Sequence, residues 1–330
     1  MAPNPNAKSE PFVPDPELMA LWPDITGDEV NGLGDEEWHQ PRPVFWRADG
    51  SIAHTDVLFH FYKKDADNER IAKARKLREK QVEVPYSEIA DTSPDKSPQE
   101  WVEAVKAKGL EVGADDVGIA LFKPEWVYND REKPQGKWAI VLAFAHEYDN
   151  LSKAPHEDTY IEVMVQYARA GMTAKLLANW IREQGHHAEA KMGPNTEDVL
   201  MIPPAIEAGM GELGKHGSLI HRKLGANFRL SMVMTDMPLV PDAPDVFGAD
   251  DFCQSCQVCT VACPPDAISP EKQVVNGVTK WYVNFDKCLP YFIDDKTCGI
   301  CLAVCPWSRP GIADNLVAKM ARRREAAAAE

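Results

Sequence analysis

The sequence predicts an α/β layer domain followed by a small cysteine-rich domain, and two observations carry that prediction. Compact apolar runs at 117–122, 138–145 and 229–235 read as buried strands, and they are interleaved with a long amphipathic stretch at 155–184 that reads as a helix. All eight cysteines fall beyond residue 252, gathered in two runs.

Taken in order, residues 1 to about 45 are rich in proline and acid and read as an extended arm on the body. Residues 65–81 are strongly charged, with weak apolar spacing at Ile71, Ala74 and Leu77, and predict a surface helix. Residues 101–108 predict another helix, closed by Gly109. Together 1–110 form an N-terminal extended and helical region packing on the core. The α/β domain spans 111–248: strands 117–122 and 138–145, the helix 155–184 ended by Gly185, a short strand within 186–191, and the strand 229–235. The proline-stiffened segment 237–244 leads into the last domain, 249–330, which ends in a helix. That helix carries Arg322, Arg323 and Arg324, the one dense basic run, read as a solvated face.

The first cysteine run is Cys253, Cys256, Cys259 and Cys263, followed by Pro264; the second is Cys288, Cys298, Cys301 and Cys305, followed by Pro306. The first has the spacing of bacterial ferredoxins that hold [4Fe–4S] clusters, and the second is its stretched relative. Zinc ribbons also use C-x2-C pairs but need neither four cysteines per run nor the trailing proline. Disulfides suit a smaller secreted chain with dispersed cysteines. Three close thiolates cap three irons of one cube, and the fourth, held off by its proline, reaches the other. Cys253, Cys256, Cys259 and Cys305 therefore belong to one cluster, and Cys263, Cys288, Cys298 and Cys301 to the other.

Composition sets further bounds. A chain of 330 residues allows about two domains, and 44% hydrophobic content supports a real core. The longest apolar stretch, 138–145, is far too short to span a bilayer, so no membrane insertion is expected. The N-terminal residues lack a charged n-region, an apolar h-region and a twin arginine, which with reduced thiols points to the cytoplasm. A net charge of −15 argues against nucleic acid as a partner and predicts no tRNA affinity at physiological salt.

Gly209, Gly211 and Gly214 match G-x-G-x-x-G, with Asp236 at the end of a predicted strand further on. A dinucleotide fingerprint needs a strand running into its first glycine. Pro203-Pro204 instead starts a helical turn there. A glycine loop that lets backbone approach some other large cofactor explains the same residues.

Pro203-Pro204-Ala205, Glu207-Ala208-Gly209-Met210-Gly211-Glu212-Leu213-Gly214, Gly225, Arg229, Thr235-Asp236-Met237-Pro238-Leu239, Pro241-Asp242, Pro244, Phe247-Gly248 and Phe252-Cys253 form an ordered set. In that order the chain resembles the reductive dehalogenases, from about 112 to 310. The resemblance implies a nitroreductase-like α/β domain holding a corrinoid (cobalamin) beside two [4Fe–4S] clusters, with Gly209, Met210, Gly211, Gly214 and Lys215 as cofactor-binding residues. No D-x-H-x-x-G corrinoid motif is present, which agrees with the family's base-off binding. Tyr167, in Gln166-Tyr167-Ala168 where the family has Gly-Tyr-Ser, is the implied proton donor, and Arg229 favours its phenolate. On spacing alone Tyr167 also fits a core stripe with Met164, Gly171 and Ala174. A third polar residue is expected in the loop after Lys191: Asn195, with Lys191 as second choice.

The implied reaction is reductive dehalogenation of an organohalide. Electrons pass singly through the clusters, and Tyr167 supplies the proton that replaces halide. Trp126, Trp138 and Phe144 are candidates to line the pocket. The chain departs from the family in lacking an export signal and a fused flavin reductase module, and in carrying Lys215-His216 where Arg-Asn is usual. Electrons are then expected from a separate ferredoxin, flavodoxin or reductase. Two other readings are an epoxyqueuosine reductase-like enzyme acting on tRNA, which would want a basic face, and a non-catalytic iron–sulfur electron-transfer protein. The latter leaves the residues upstream of the cysteines unexplained.

Overall fold

The computed structural model describes residues 12–191 and 198–328. Its centre is a four-stranded sheet, wholly antiparallel, in the order β1-β2-β6-β3, built from β1 (Asp116–Leu121), β2 (Trp138–Ala145), β3 (Ala188–Lys191) and β6 (Phe228–Thr235). The short pair β4 (Glu212–Leu213) and β5 (Leu219–Ile220) forms a separate hairpin. An antiparallel sheet usually wets one face and alternates apolar with polar residues; this one is covered on both, so β2 is apolar throughout. Trp138, Ile140, Leu142 and Phe144 point into one core, while Ala139, Val141 and Ala143 point into the other. Trp126, Trp138 and Phe144 are thus core residues, each at most 7% exposed.

Two helices cover the first face. In α6 (Pro98–Glu111) a capping box holds the start, with Ser97 and Glu100 satisfying each other's backbone N–H. Gly109 does not close this helix: it lies inside, where an added Cβ would stand 2.7 Å from Val117 Cγ2, so it lets the helix approach β1. In α8 (Glu157–Glu183) the chain turns off at Gly185 with φ +84°, a conformation glycine takes without strain. The C-terminal half of α8 buries Ala170, Ala174, Leu177, Ala178 and Ile181 against the sheet. Such small residues bring the backbones close enough for Ser231 Oγ to donate to the Ala170 carbonyl at 2.9 Å. On the opposite face lies α9 (Ile202–Glu207), the proline-started turn read from Pro203-Pro204; no strand enters the glycine loop.

The N-terminal region carries more helix than the sequence suggests: α1 (Pro16–Met19), α2 (Gly27–Asn31), α3 (Thr55–Lys63), α4 (Glu69–Leu77) and α5 (Lys80–Glu83). The charged stretch 65–81 is broken between α4 and α5, and its Ile71 and Ala74 are buried rather than superficial. Helix α7 (Tyr148–Leu151) joins β2 to α8.

In the last domain, α10 (Ala249–Ser255) and α11 (Val258–Ala262) bear the first cysteine run. The hairpin β7 (Gln273–Val275) and β8 (Val278–Lys280) separates it from α12 (Phe285–Asp294), α13 (Ile300–Val304) and the terminal α14 (Ala313–Ala328). The N-terminal region is clamped onto this domain. Asp286 accepts from the Gly27 and Asp28 amides and from Trp22 Nε1, while Asp28 accepts from the Phe285 amide at 2.7 Å. Gly27 is needed there, since a Cβ would fall 1.9 Å from the Phe285 ring. Among the described residues no helix is long and apolar enough to cross a membrane.

Candidate functional site

Tyr167 sits near the middle of α8 and Arg229 at the start of β6, opposite Phe144 in the sheet register. Arg229 Nη1 donates to Tyr167 Oη at 2.8 Å, and the guanidinium carbon lies 4.0 Å from the centre of the phenol ring. A cation both over the ring and on its oxygen stabilises negative charge on that oxygen. Arg229 Nε is buried without a protein partner, leaving one donor of the fork free.

A second polar layer lies behind the pair. Glu162, also on α8, accepts from the Glu147 amide and from Gln166 Nε2, both at 2.9 Å, and its Oε1 is 3.6 Å from His146 Nδ1. Burial opposes its charge, yet the His146 ring, the Glu147 N–H and the Gln166 amide hold the carboxyl down to about 2. Burial lowers His146, against the pull of Glu162 and with the help of the Arg229 charge, so the ring is neutral. Sequence inspection passes over both residues: they come from different elements, and the only signal is an acid on a buried position of α8.

His146 and Asn227 open onto a cavity of about 530 Å³ whose far wall is Trp307, Ser308 and Arg309. Asn227 Oδ1, Trp307 Nε1 and Ser308 Oγ are buried there with no hydrogen-bond partner. Unpaired buried polar groups are costly, so each of these three atoms marks a place where the described residues leave a polar group without its partner.

Asn195 lies in 192–197, outside the described residues. Lys191 ends β3 and is buried, its Nζ held by Glu189 at 2.7 Å and Asp198 at 2.8 Å. Burial works against its charge, but the two carboxylates outweigh it and raise the ammonium. The glycine loop faces the protein itself. Added Cβ atoms would meet Ala243 O at 2.8 Å from Gly209 and Ile220 O at 2.1 Å from Gly211, and Met210 is core, 2% exposed. Close approach by the chain's own backbone is one reason these positions are glycine. Gly211→Ala, with φ +136° and a Cβ that would fall 2.1 Å from Ile220 O, is therefore expected to destabilise the fold by about 3 kcal/mol, lowering the melting temperature by roughly 4 °C. An unchanged melting curve with altered corrinoid affinity alone would contradict this.

The cysteines form two groups. Cys253, Cys256, Cys259 and Cys305 ring one cavity, with Lys215, His216 and Trp307 completing its wall. The Lys215 amide points at Cys253 Sγ, 3.5 Å away. Burial is the main cause that raises the thiols of Cys288, Cys298 and Cys301, and neighbouring thiols add to it: Cys298 and Cys263 at Cys288, Cys263 at Cys298, and Cys298, Cys288, Cys259 and Cys263 at Cys301. The Ala267 amide donates to Cys263 Sγ at 3.3 Å. Burial pushes Cys253, Cys288 and Cys298 up to about 12 and Cys259 to about 11, so as bare thiols they are protonated and loading of metal must release protons. Amide hydrogens already aimed at sulfur suit thiolate ligands of a cluster. Gly299 of the second group packs on α8, an added Cβ standing 3.6 Å from Thr159 Cγ2, and Leu289 and Ile293 share a core with Met164 and Tyr167.

Comparison with known proteins agrees with this architecture. Residues 252–308 match the family of 4Fe-4S dicluster domains. The chain is 32% identical over 222 residues to the tetrachloroethene reductive dehalogenase of Desulfitobacterium hafniense, covering 63% of this chain and 39% of that one. A solved reductive dehalogenase, whose structure is said to suggest a mechanism for B12-dependent dehalogenation, aligns with a TM-score of 0.65 at 27% identity, over 75% of this chain and 38% of that chain. An epoxyqueuosine reductase of Leadbetterella byssophila is 33% identical over 151 residues, 41% of this chain and 45% of the relative. The chain spans about two fifths of the length of the curated dehalogenases it matches. The fold, a mixed α/β layer with a C-terminal 4Fe–4S dicluster domain, is the one found in reductive dehalogenases.

Proposed function

We propose that this chain catalyses reductive dehalogenation: an organohalide takes up two electrons and one proton, and leaves as the hydrogen-substituted product plus halide. The observation that carries the proposal is the Tyr167–Arg229 pair, a phenol 2.8 Å from a fixed guanidinium, on the helix against which the second cysteine group is packed. Proton donor and electron outlet thus meet on α8.

The residues present suit a corrinoid. Its rim carries amides, each offering a carbonyl and an N–H, and the cavity of about 530 Å³ is lined by polar residues that bind such groups, among them His146, Asn227, Ser308 and Arg309. A bound corrinoid supplies the reduced cobalt that breaks the carbon–halogen bond. The chain's own part is to hold and move the proton. Tyr167 gives its hydroxyl hydrogen to the carbon that loses halide, and Arg229 stabilises the phenolate left behind. The guanidinium is held between helix and sheet by its contacts with the Tyr167 hydroxyl and ring. Asn195 is the proposed third polar residue; Lys191, held by two carboxylates, is a positioning element for the strand end.

Cys253, Cys256, Cys259 and Cys305 hold one [4Fe–4S] cluster and Cys263, Cys288, Cys298 and Cys301 the other, which lies nearer Tyr167. The electron donor is a separate ferredoxin, flavodoxin or reductase, and free thiols in this number suit a reducing compartment such as the cytoplasm.

The test is halide release from a panel of alkyl and aryl halides by protein reconstituted with iron, sulfide and cobalamin, with a strong chemical reductant as electron source. Release that requires both cobalamin and clusters is expected. No halide from any substrate, with both cofactors bound in full, would overturn the proposal.

A further inference from the structure

The loop that follows the glycines carries Lys215, which the resemblance placed among the corrinoid-binding residues, and His216, and both are buried against the first cysteine group. Lys215 is 1% exposed, an extreme burial for a lysine. Its Nζ donates to the Pro270 carbonyl at 2.9 Å and lies 4.8 Å from the Trp281 ring centre. Among the described residues no carboxylate pairs with it: Asp250, near the same Trp281, accepts from Lys272 Nζ at 2.6 Å and from Trp281 Nε1 at 2.6 Å. The Lys215 charge reaches Cys253 and Cys259, while its amide points at Cys253 Sγ.

His216 adds a neutral donor. The Ser218 amide donates to its Nδ1 at 3.2 Å, which fixes that nitrogen as the acceptor and places the ring hydrogen on Nε2. Nε2 is buried and has no protein partner, and the ring lines the cavity bounded by Cys253, Cys256, Cys259 and Cys305. The ring lies over Gly214, where a Cβ would stand 2.7 Å from His216 Cε1; that is the space Gly214 provides. The second group has a different surrounding. Its cysteines feel Asp266 and Asp295, and among the described residues its sulfurs are met by backbone amides alone, from Ala267, Ile268 and Asp266 at Cys263 and from Ile300 and Gly299 at Cys298, with no lysine charge among the main influences on them.

We propose that Lys215 and His216 set the reduction potential of the first cluster above that of the second, Lys215 by a buried positive charge and His216 by an Nε2–H hydrogen bond to a cluster sulfur. Reduction adds one negative charge to a cluster. A cation and a hydrogen-bond donor held in a dry site stabilise that charge, and carboxylates oppose it. The first cluster then accepts the electron from the external donor. Onward transfer to the second is driven by consumption of electrons at the reaction centre. The inference rests on the two-cluster assignment but not on the dehalogenation reaction.

The experiment is an EPR-monitored redox titration of the reconstituted protein, with iron counted in every sample. Two waves are expected in the parent chain. In Lys215→Met only the higher wave should move down, by at least a tenfold fall in the reduced-to-oxidised ratio at fixed potential, about 59 mV for one electron. His216→Phe should move the same wave by a smaller amount, and His216→Gln, which restores an N–H, should return part of it. Where Lys215→Met loses iron, Lys215→Gln keeps a donor for the Pro270 carbonyl without the charge and carries the same test. Both waves unmoved in Lys215→Gln and His216→Phe, with iron intact, would overturn the inference. Low iron in the parent chain would instead refute the cluster assignment itself.

Discussion

Tyr167→Phe is expected to lower dehalogenation by roughly two to four orders of magnitude, the contribution of a positioned general acid, while fold, iron and corrinoid content survive. The substitution removes one hydroxyl and its 2.8 Å hydrogen bond from Arg229 but keeps the ring that packs in the core with Met164, Leu289 and Ile293. Arg229→Lys keeps the charge and loses the planar fork, so it should cost less. Halide release under a strong reductant measures both. Near-normal turnover in Tyr167→Phe with corrinoid bound would make Tyr167 a packing residue and place the proton source elsewhere.

The next largest effect concerns the clusters. Cys259→Ala and Cys298→Ala should each remove one cluster, so that iron falls from about eight to about four per chain. Cys305→Ala separates the crossed pairing from a run-by-run one. It stands in the second run, yet it lies with Cys253, Cys256 and Cys259 around one cavity, so its loss should abolish the signal of the first cluster. Stoichiometric zinc with no iron-dependent absorption would refute the assignment. Loss of the second cluster in Cys305→Ala would refute the crossing.

The strands of the layer were legible because both faces of the sheet are covered: 138–145 is apolar throughout and spans β2. Helix α8 was legible from its length and from Gly185. Helices α4 and α6 were legible as well, but α1, α2 and α3 were not; the apolar positions of α1 and α3 pack in a core with residues of α8 and α12, partners distant in sequence. The Asn276-Gly277 hairpin turn, both residues at positive φ, left a real signal, but three-residue strands hold too few apolar side chains to stand out. At the site, Tyr167 and Arg229 were named through the resemblance, not through spacing. His146, Glu162, Asn227, Trp307 and Ser308 come together only in three dimensions. In the glycine loop the sequence does not separate two needs, since glycine required for contact with the chain's own carbonyls looks like glycine required for a cofactor.

The most direct measurement of the central claim, that the clusters supply the electrons and an exchangeable phenol the proton, is a turnover of fully loaded protein in deuterium oxide. For each halide released the account predicts two electrons consumed and one deuterium at the carbon that lost the halogen, with the rate reduced in Tyr167→Phe. Product carrying protium at that carbon, or halide release unaffected by loss of either cluster, would contradict it.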